Sequence, residues 1–155
     1  MTRQPKVDQF LAEVMPMVHD MDVAFHNGNV APRVAVWSHT DPVTLFGAVR
    51  SGSGWDEILP MFELLASQFS NGSFEYEVVA ADVSGDLGYI VGFEHTTAAF
   101  GSAKLPNRYD LRVTTNFRRE DGEWKIVHRH ADPVPGSAGT ERQMRDVDRA
   151  LASTD

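Results

Sequence analysis

At 155 residues, 42% hydrophobic and 23% charged, the chain has the size and composition of one soluble domain with a real core. Its net charge of -8, with 11 Arg and 3 Lys that form no basic block, argues against nucleic acid or a membrane surface as partner. It has no cysteine, which excludes disulfides, thiolate catalysis and Cys-built zinc sites.

The N-terminal MTRQPKVDQF lacks the apolar core of a signal peptide, and no run reaches the length of a membrane span, so a cytoplasmic address is expected. Helix signals fill the first seventy residues. Val7, Phe10, Leu11, Val14, Met17, Val18, Met21 and Phe25 recur at three- and four-residue spacing, with Pro16 predicting a kink or two abutting helices. Asn27-Gly28-Asn29 is the stop. A short helix over Pro32–Ser38 follows, then a turn at Asp41-Pro42 into a brief strand, Val43–Phe46. Beyond a flexible Ser51-Gly52-Ser53-Gly54, a helix carries Trp55, Ile58, Phe62, Leu65 and Phe69 on one side. Pro60 is expected in its first turn or at a bend.

From Phe74 the apolar period changes to two. Phe74, Tyr76, Val78 and Ala80 share one face of a strand, and Leu87, Tyr89, Val91, Phe93 and His95 share one face of the next. Leu111, Val113, Thr115 and Phe117 alternate with Arg112, Thr114, Asn116 and Arg118. Asp121-Gly122 then predicts a two-residue hairpin turn. Counting back from a Glu120–Glu123 pair, Phe117 faces Ile126, Thr115 faces His128 and Val113 faces His130. In that register Trp124, Ile126, His128 and His130 lie on the buried face, while Lys125 and Arg129 point away. The tail opens with Pro133-Val134-Pro135-Gly136. Thr140 and Gln143 read as a capping box ahead of an apolar stripe of Met144, Val147 and Leu151, expected to dock on the body or on a second subunit. Helices first and an antiparallel meander second make the class α+β, as one domain over 1–133 with a C-terminal tail and short helix over 134–155.

The helix ending Phe-x-x-Gly-Asn, the segment VWSHTDPVTLFG, the Trp-bearing helix and LRVTTNFRREDGEWKIVHRHADP together resemble the SnoaL-like domains of the nuclear transport factor 2-like superfamily. That superfamily includes ketosteroid isomerases, polyketide cyclases and the association domain of calcium/calmodulin-dependent kinase. The resemblance covers roughly residues 8 to 133. It implies a cone-shaped, strongly curved, mostly antiparallel sheet wrapped around N-terminal helices. It also implies an apolar pocket inside and frequent dimers through the sheet's outer face. The residues of steroid isomerisation are missing, however. The base would fall at or beside Phe46, the protonated Asp near Thr115 and the Tyr near Met21. An Arg that the kinase association domain carries on the pocket face near Thr115 is missing too.

The register therefore nominates His128 and His130 for acid–base work, with His39 and Asp41 as partners. Trp37, Phe46, Tyr89, Phe93, His95 and Thr115 are the expected ligand-binding wall. Asp132, before Pro133, reads either as a further partner or as a cap at the strand's exit, and His19 and His26 receive no role. A competing reading makes His128-x-His130 two metal ligands, completed by a carboxylate or His39. The expectation carried forward has no cofactor and no metal. It is a homodimer that binds a small, largely apolar molecule and converts it by isomerase-, cyclase- or dehydratase-type chemistry. The alternative is a non-enzymatic dimerisation or ligand-sensing module.

Overall fold

The computed structural model describes residues 4–102 and 105–153, so the outermost ends of the expected domain (1–133) and tail (134–155) lie outside the described residues. The helices are α1 (Pro5–Phe25), α2 (Ala31–Val36), α3 (Trp55–Gln68) and α4 (Ala138–Ala152). The strands are β1 (Thr44–Phe46), β2 (Ser51–Ser53), β3 (Phe69–Ser84), β4 (Leu87–Phe100), β5 (Pro106–Glu120) and β6 (Glu123–Pro133). They form one open sheet in the order β2-β1-β6-β5-β4-β3, antiparallel except where β1 runs parallel to β6. This is the α+β cone expected from the resemblance.

Helix α1 buries Val7, Phe10, Leu11, Val14, Val18, Met21 and Phe25, the stripe read from sequence, as one helix with Pro16 inside it. Phe10 meets Phe117 and Trp124 edge-on at ring distances of 5.6 and 5.0 Å. It can lie this low because position 88 is glycine; a Cβ there would sit 2.7 Å from the Phe10 ring. Pro60 is inside α3, beyond its first turn. Ser51-Gly52-Ser53, expected to be flexible, is instead strand β2, paired with β1. Gly52 is buried beneath α3, where a Cβ would meet the end of Met61 at 2.7 Å.

The Asp121-Gly122 turn forms as expected, with φ of 51° and 81°, and Glu120 pairs with Glu123. Phe117 also pairs with Ile126, but the predicted register ends there. Asn116 pairs with His128, leaving Val127 as an extra residue in β6. Because side chains alternate with period two, this one-residue β-bulge reverses every position beyond it. Arg129 turns inward opposite Thr115, Ala131 turns inward opposite Val113, and His128 and His130 go to the outer face. The inward placing of His128 and His130 is thus corrected, as is the outward placing of Arg129.

A second correction concerns β4. Its inner face is Gly88, Ile90, Gly92, Glu94, Thr96 and Ala98, all buried, whereas Leu87 and Tyr89 are exposed and Phe93 and His95 are part-buried on the outer face. The bulkier apolar row is the outer one, and the inner row begins with Gly88, beneath Phe10 of α1. Helix α4 is integral to the body: Asn107 Nδ2 donates to the Gly139 carbonyl at 2.9 Å, and the Asp110 backbone N–H donates to Thr140 Oγ1 at 3.0 Å. Its cap is Ser137, which accepts from the Thr140 N–H at 3.2 Å, three residues before the cap read from sequence.

Candidate functional site

Between the inner face of the sheet and the helices lies a cavity of about 100 Å³, room for several waters. Its apolar walls include Phe25, Leu45, Met61, Phe62, Leu65, Phe69 and Leu111, and Met144, Val147 and Leu151 of α4 close one side. Six polar side chains, Asp22, His26, Arg33, Glu94, Tyr109 and Arg129, share this lining, and every one of them is buried. Burying four formal charges is expensive unless they are paired.

The pairing is complete for one couple and partial for the other. Arg129 reaches Glu94 through both ends of its guanidinium, Nη1 to Oε2 at 2.5 Å and Nη2 to Oε1 at 2.8 Å. Arg33 reaches Asp22 by a single short Nη2–Oδ1 contact, so Asp22 Oδ2 and Arg33 Nε are buried without a partner. Arg33 also lies over the Phe25 ring, its guanidinium carbon 3.8 Å from the centroid. Desolvation by burial dominates at Asp22 and pushes its pKa up to about 6, against the opposing pull of Arg33.

His26 sits one turn beyond Asp22 on α1, in space left by Gly72, where a Cβ would fall 2.3 Å from that of His26. Its Nδ1 lies 2.7 Å from the Asp22 carbonyl, which can only accept, so Nδ1 carries the proton. Nε2 therefore accepts, and the Tyr109 hydroxyl donates to it at 2.6 Å. Burial holds the imidazole neutral, with its pKa down to about 4, and pushes the Tyr109 phenol up. The set comprises a carboxylate with a pKa near 6, a second carboxylate paired to Arg129, a neutral imidazole–phenol pair and two guanidinium groups. Such a set can hold a polar group and exchange a proton with it.

A family model described as a SnoaL-like domain matches residues 14–135. The chain belongs to the SnoaL-like domain family. Among curated proteins, none matches the sequence. Solved structures similar to this SnoaL-like domain include a dehydratase candidate of the NTF2-like family from Streptomyces avermitilis, 18% identical over 83% of this chain and 99% of that one, with a TM-score of 0.68. A scytalone dehydratase candidate from Novosphingobium aromaticivorans is 12% identical over 83% and 95%, with a TM-score of 0.70. The CaMKII hub homology domain of Chlamydamonas reinhardtii is 16% identical over 81% and 98%, with a TM-score of 0.60. Identities this low show a shared fold.

The structure puts the sequence-nominated residues of this SnoaL-like domain elsewhere. His128 and His130 line the outer face with Phe46, whose ring lies 5.3 and 5.5 Å from theirs. Thr44 Oγ1 is 2.7 Å from His128 Nδ1, and partial burial lowers the His128 pKa. His130 Nε2 lies 3.5 Å from Asp132 Oδ1 at an exposed site. His39 is stacked on Trp55 at 4.2 Å, with Nε2 2.9 Å from the Val34 carbonyl, and Asp41 is exposed. Trp37 is buried against Phe62, 5.1 Å between rings. Tyr89 and Phe93 stand on the outer face beside His95. His95 is bonded to Asp110 Oδ1 at 2.6 Å and Glu77 Oε1 at 3.2 Å, and the Asp110 bond raises its pKa. Thr115 is buried on the inner face, and both it and Trp37 stand outside the cavity lining. The guanidinium missed near Thr115 is supplied from the next strand by Arg129, its cross-strand partner. Among the described residues, no group of three or more His, Asp or Glu is arranged to hold a metal ion. No described helix is long and apolar enough to cross a membrane.

The cavity's own polar residues went unrecognised in the sequence, although signals for three of them exist. Asp22 falls four residues after Val18, and His26 one residue after Phe25, so both border the apolar stripe of α1. Tyr109 continues the inward alternation of Leu111 and Val113. Nothing local marks Glu94 or Arg129, because a face reading and a bulge decide them.

Proposed function

We propose that this SnoaL-like domain binds a small, largely apolar molecule in the cavity and converts it by acid–base chemistry of the isomerase, cyclase or dehydratase type. The observation that carries the reading is Asp22: a fully buried carboxylate at the polar end of a largely apolar cavity, with one oxygen unpartnered and a pKa of about 6. Above pH 6 it accepts a proton from the ligand's polar end. Arg33 Nε, also unpartnered, is the donor placed to hold the negative charge that results. His26 and Tyr109 hold the floor polar but uncharged.

A thermal-shift panel of apolar ketones, alcohols and carboxylic acids tests binding. A true ligand at 100 times its Kd adds about 2.7 kcal/mol. Alcohol hits should weaken in Asp22→Asn and persist unchanged in His128→Ala. Deuterium uptake by the bound compound in D2O, followed by NMR, tests conversion. A panel without hits sinks the reading.

A second reading, a non-enzymatic dimerisation or ligand-sensing module, is supported by the outer face, where Phe46 and Tyr89 are 47% and 40% exposed. The similarity to a hub homology domain points the same way. Sedimentation at micromolar concentration should give a homodimer; a monomer with ligand binding intact leaves only the first reading.

A further inference from the structure

We infer that the cavity selects an uncharged, hydroxyl-bearing ligand, whose oxygen bridges Asp22 Oδ2 and Arg33 Nε. The inference rests on the cavity being a ligand site and specifies what that site takes. The unsatisfied atoms at the Asp22–Arg33 pair are one acceptor and one donor, both buried, on two residues that line the same cavity. A carboxylate and a guanidinium free to pair fully would satisfy both atoms side by side; here only Nη2 and Oδ1 meet. A hydroxyl donates once and accepts twice, so one such group satisfies both atoms. A ketone oxygen serves only the donor, and an ammonium only the acceptor.

Charge supports the same class. The deep charges cancel, with Asp22 and Glu94 against Arg33 and Arg129, so the floor offers no excess cation to a carboxylate. The remaining guanidinium of the lining, Arg50, has Nη1 on the Leu151 carbonyl at 3.2 Å, on the α4 side. Apart from His26 and Tyr109, which bond each other, the rest of the wall is apolar and favours a hydrocarbon skeleton. Size sets the scale, since an apolar cavity of about 150 Å³ holds benzene. The cavity, about 100 Å³ and closed on one side by α4, is smaller than that, so one small ring is the upper limit of the body it takes.

Toluene, phenol and benzoate share that body and differ in the group presented, so the test titrates each into the full protein at pH 7.5 by calorimetry and thermal shift. Phenol is neutral at that pH, and its bond to a charged acceptor should make it at least about tenfold tighter than toluene. Benzoate should bind more weakly than either. Equal binding of toluene and phenol overturns the hydroxyl site while leaving the cavity reading intact, and a preference for benzoate overturns it in favour of an anion site. If none of the three binds, the cavity reading falls together with the inference. Asp22→Asn, checked for folding by circular dichroism, leaves Arg33 unmatched. It should bring phenol to within about threefold of toluene and strengthen benzoate; phenol selectivity unchanged in that variant refutes the bridge. The wild-type series stands even if the variant does not fold.

Discussion

Replacing Arg129 by Met tests the β6 bulge and the buried charge network together. In the predicted register Arg129 would lie on the outer surface, where its loss changes stability by no more than about 0.5 kcal/mol. In the structure it is the bidentate partner of Glu94, which is 3% exposed. Arg129 holds the Glu94 carboxylate below the usual range against the opposing effect of burial. Without it, Glu94 is an unmatched buried charge beside Asp22, and breaking such a pair costs about 3–5 kcal/mol. For a chain of this length each kcal/mol moves Tm by about 2–4 °C, so the drop should be about 6–20 °C. The sign with pH follows. In the variant the Glu94 pKa rises above its unfolded value, so the deficit is smallest in acid and grows as pH rises through the new pKa. Glu94→Leu combined with Arg129→Met removes both charges and should recover most of the loss, as apolar replacements of buried pairs do. Urea and thermal unfolding at pH 7.5 and pH 4.5 read all of this. A single-variant cost below about 1 kcal/mol, or a double variant no better than the single, would falsify the inward placing of Arg129.

His26 and Asp22 should give opposite pH dependences. The folded His26 pKa is depressed to about 4, so its contribution is present above pH 6.5 and lost as pH falls toward 4, by up to about 3 kcal/mol. The folded Asp22 pKa is raised to about 6, so its contribution is present below about pH 4 and lost as pH rises through 6. The Tm difference from wild type, measured from pH 4 to 7, should therefore fall in acid for Asp22→Asn and rise in acid for His26→Gln; parallel slopes would contradict the assignment. Gly139→Ala puts a Cβ 2.4 Å from the Arg108 carbonyl. It should destabilise by about 1–3 kcal/mol and speed amide exchange in α4, whereas helix propensity alone predicts a gain. His130→Ala, at a half-exposed outer site, should leave stability within about 0.5 kcal/mol and ligand binding unchanged, and a loss of binding would return His130 to the site.

The α1 stripe, the Asp121-Gly122 turn and the alternation of β5 were all legible, because each depends on neighbours within one element and on a fixed period. So was the α+β order, and with it the family. The candidate site was not legible, and the reason is specific. A strand's period says which residues share a face, but not which face is covered. On β4 the larger apolar residues lie outside, because α1 needs Gly88 beneath Phe10. On β6 one extra residue, Val127, exchanges His128 and His130 for Arg129 as inward groups. By itself the sequence determined the elements, the turn and the charge inventory. Only tertiary packing decided which of those charges were buried. Asp22, Arg33, Glu94 and Arg129 come from α1, the α2 segment, β4 and β6, and their pairing depends on distances that no local pattern encodes.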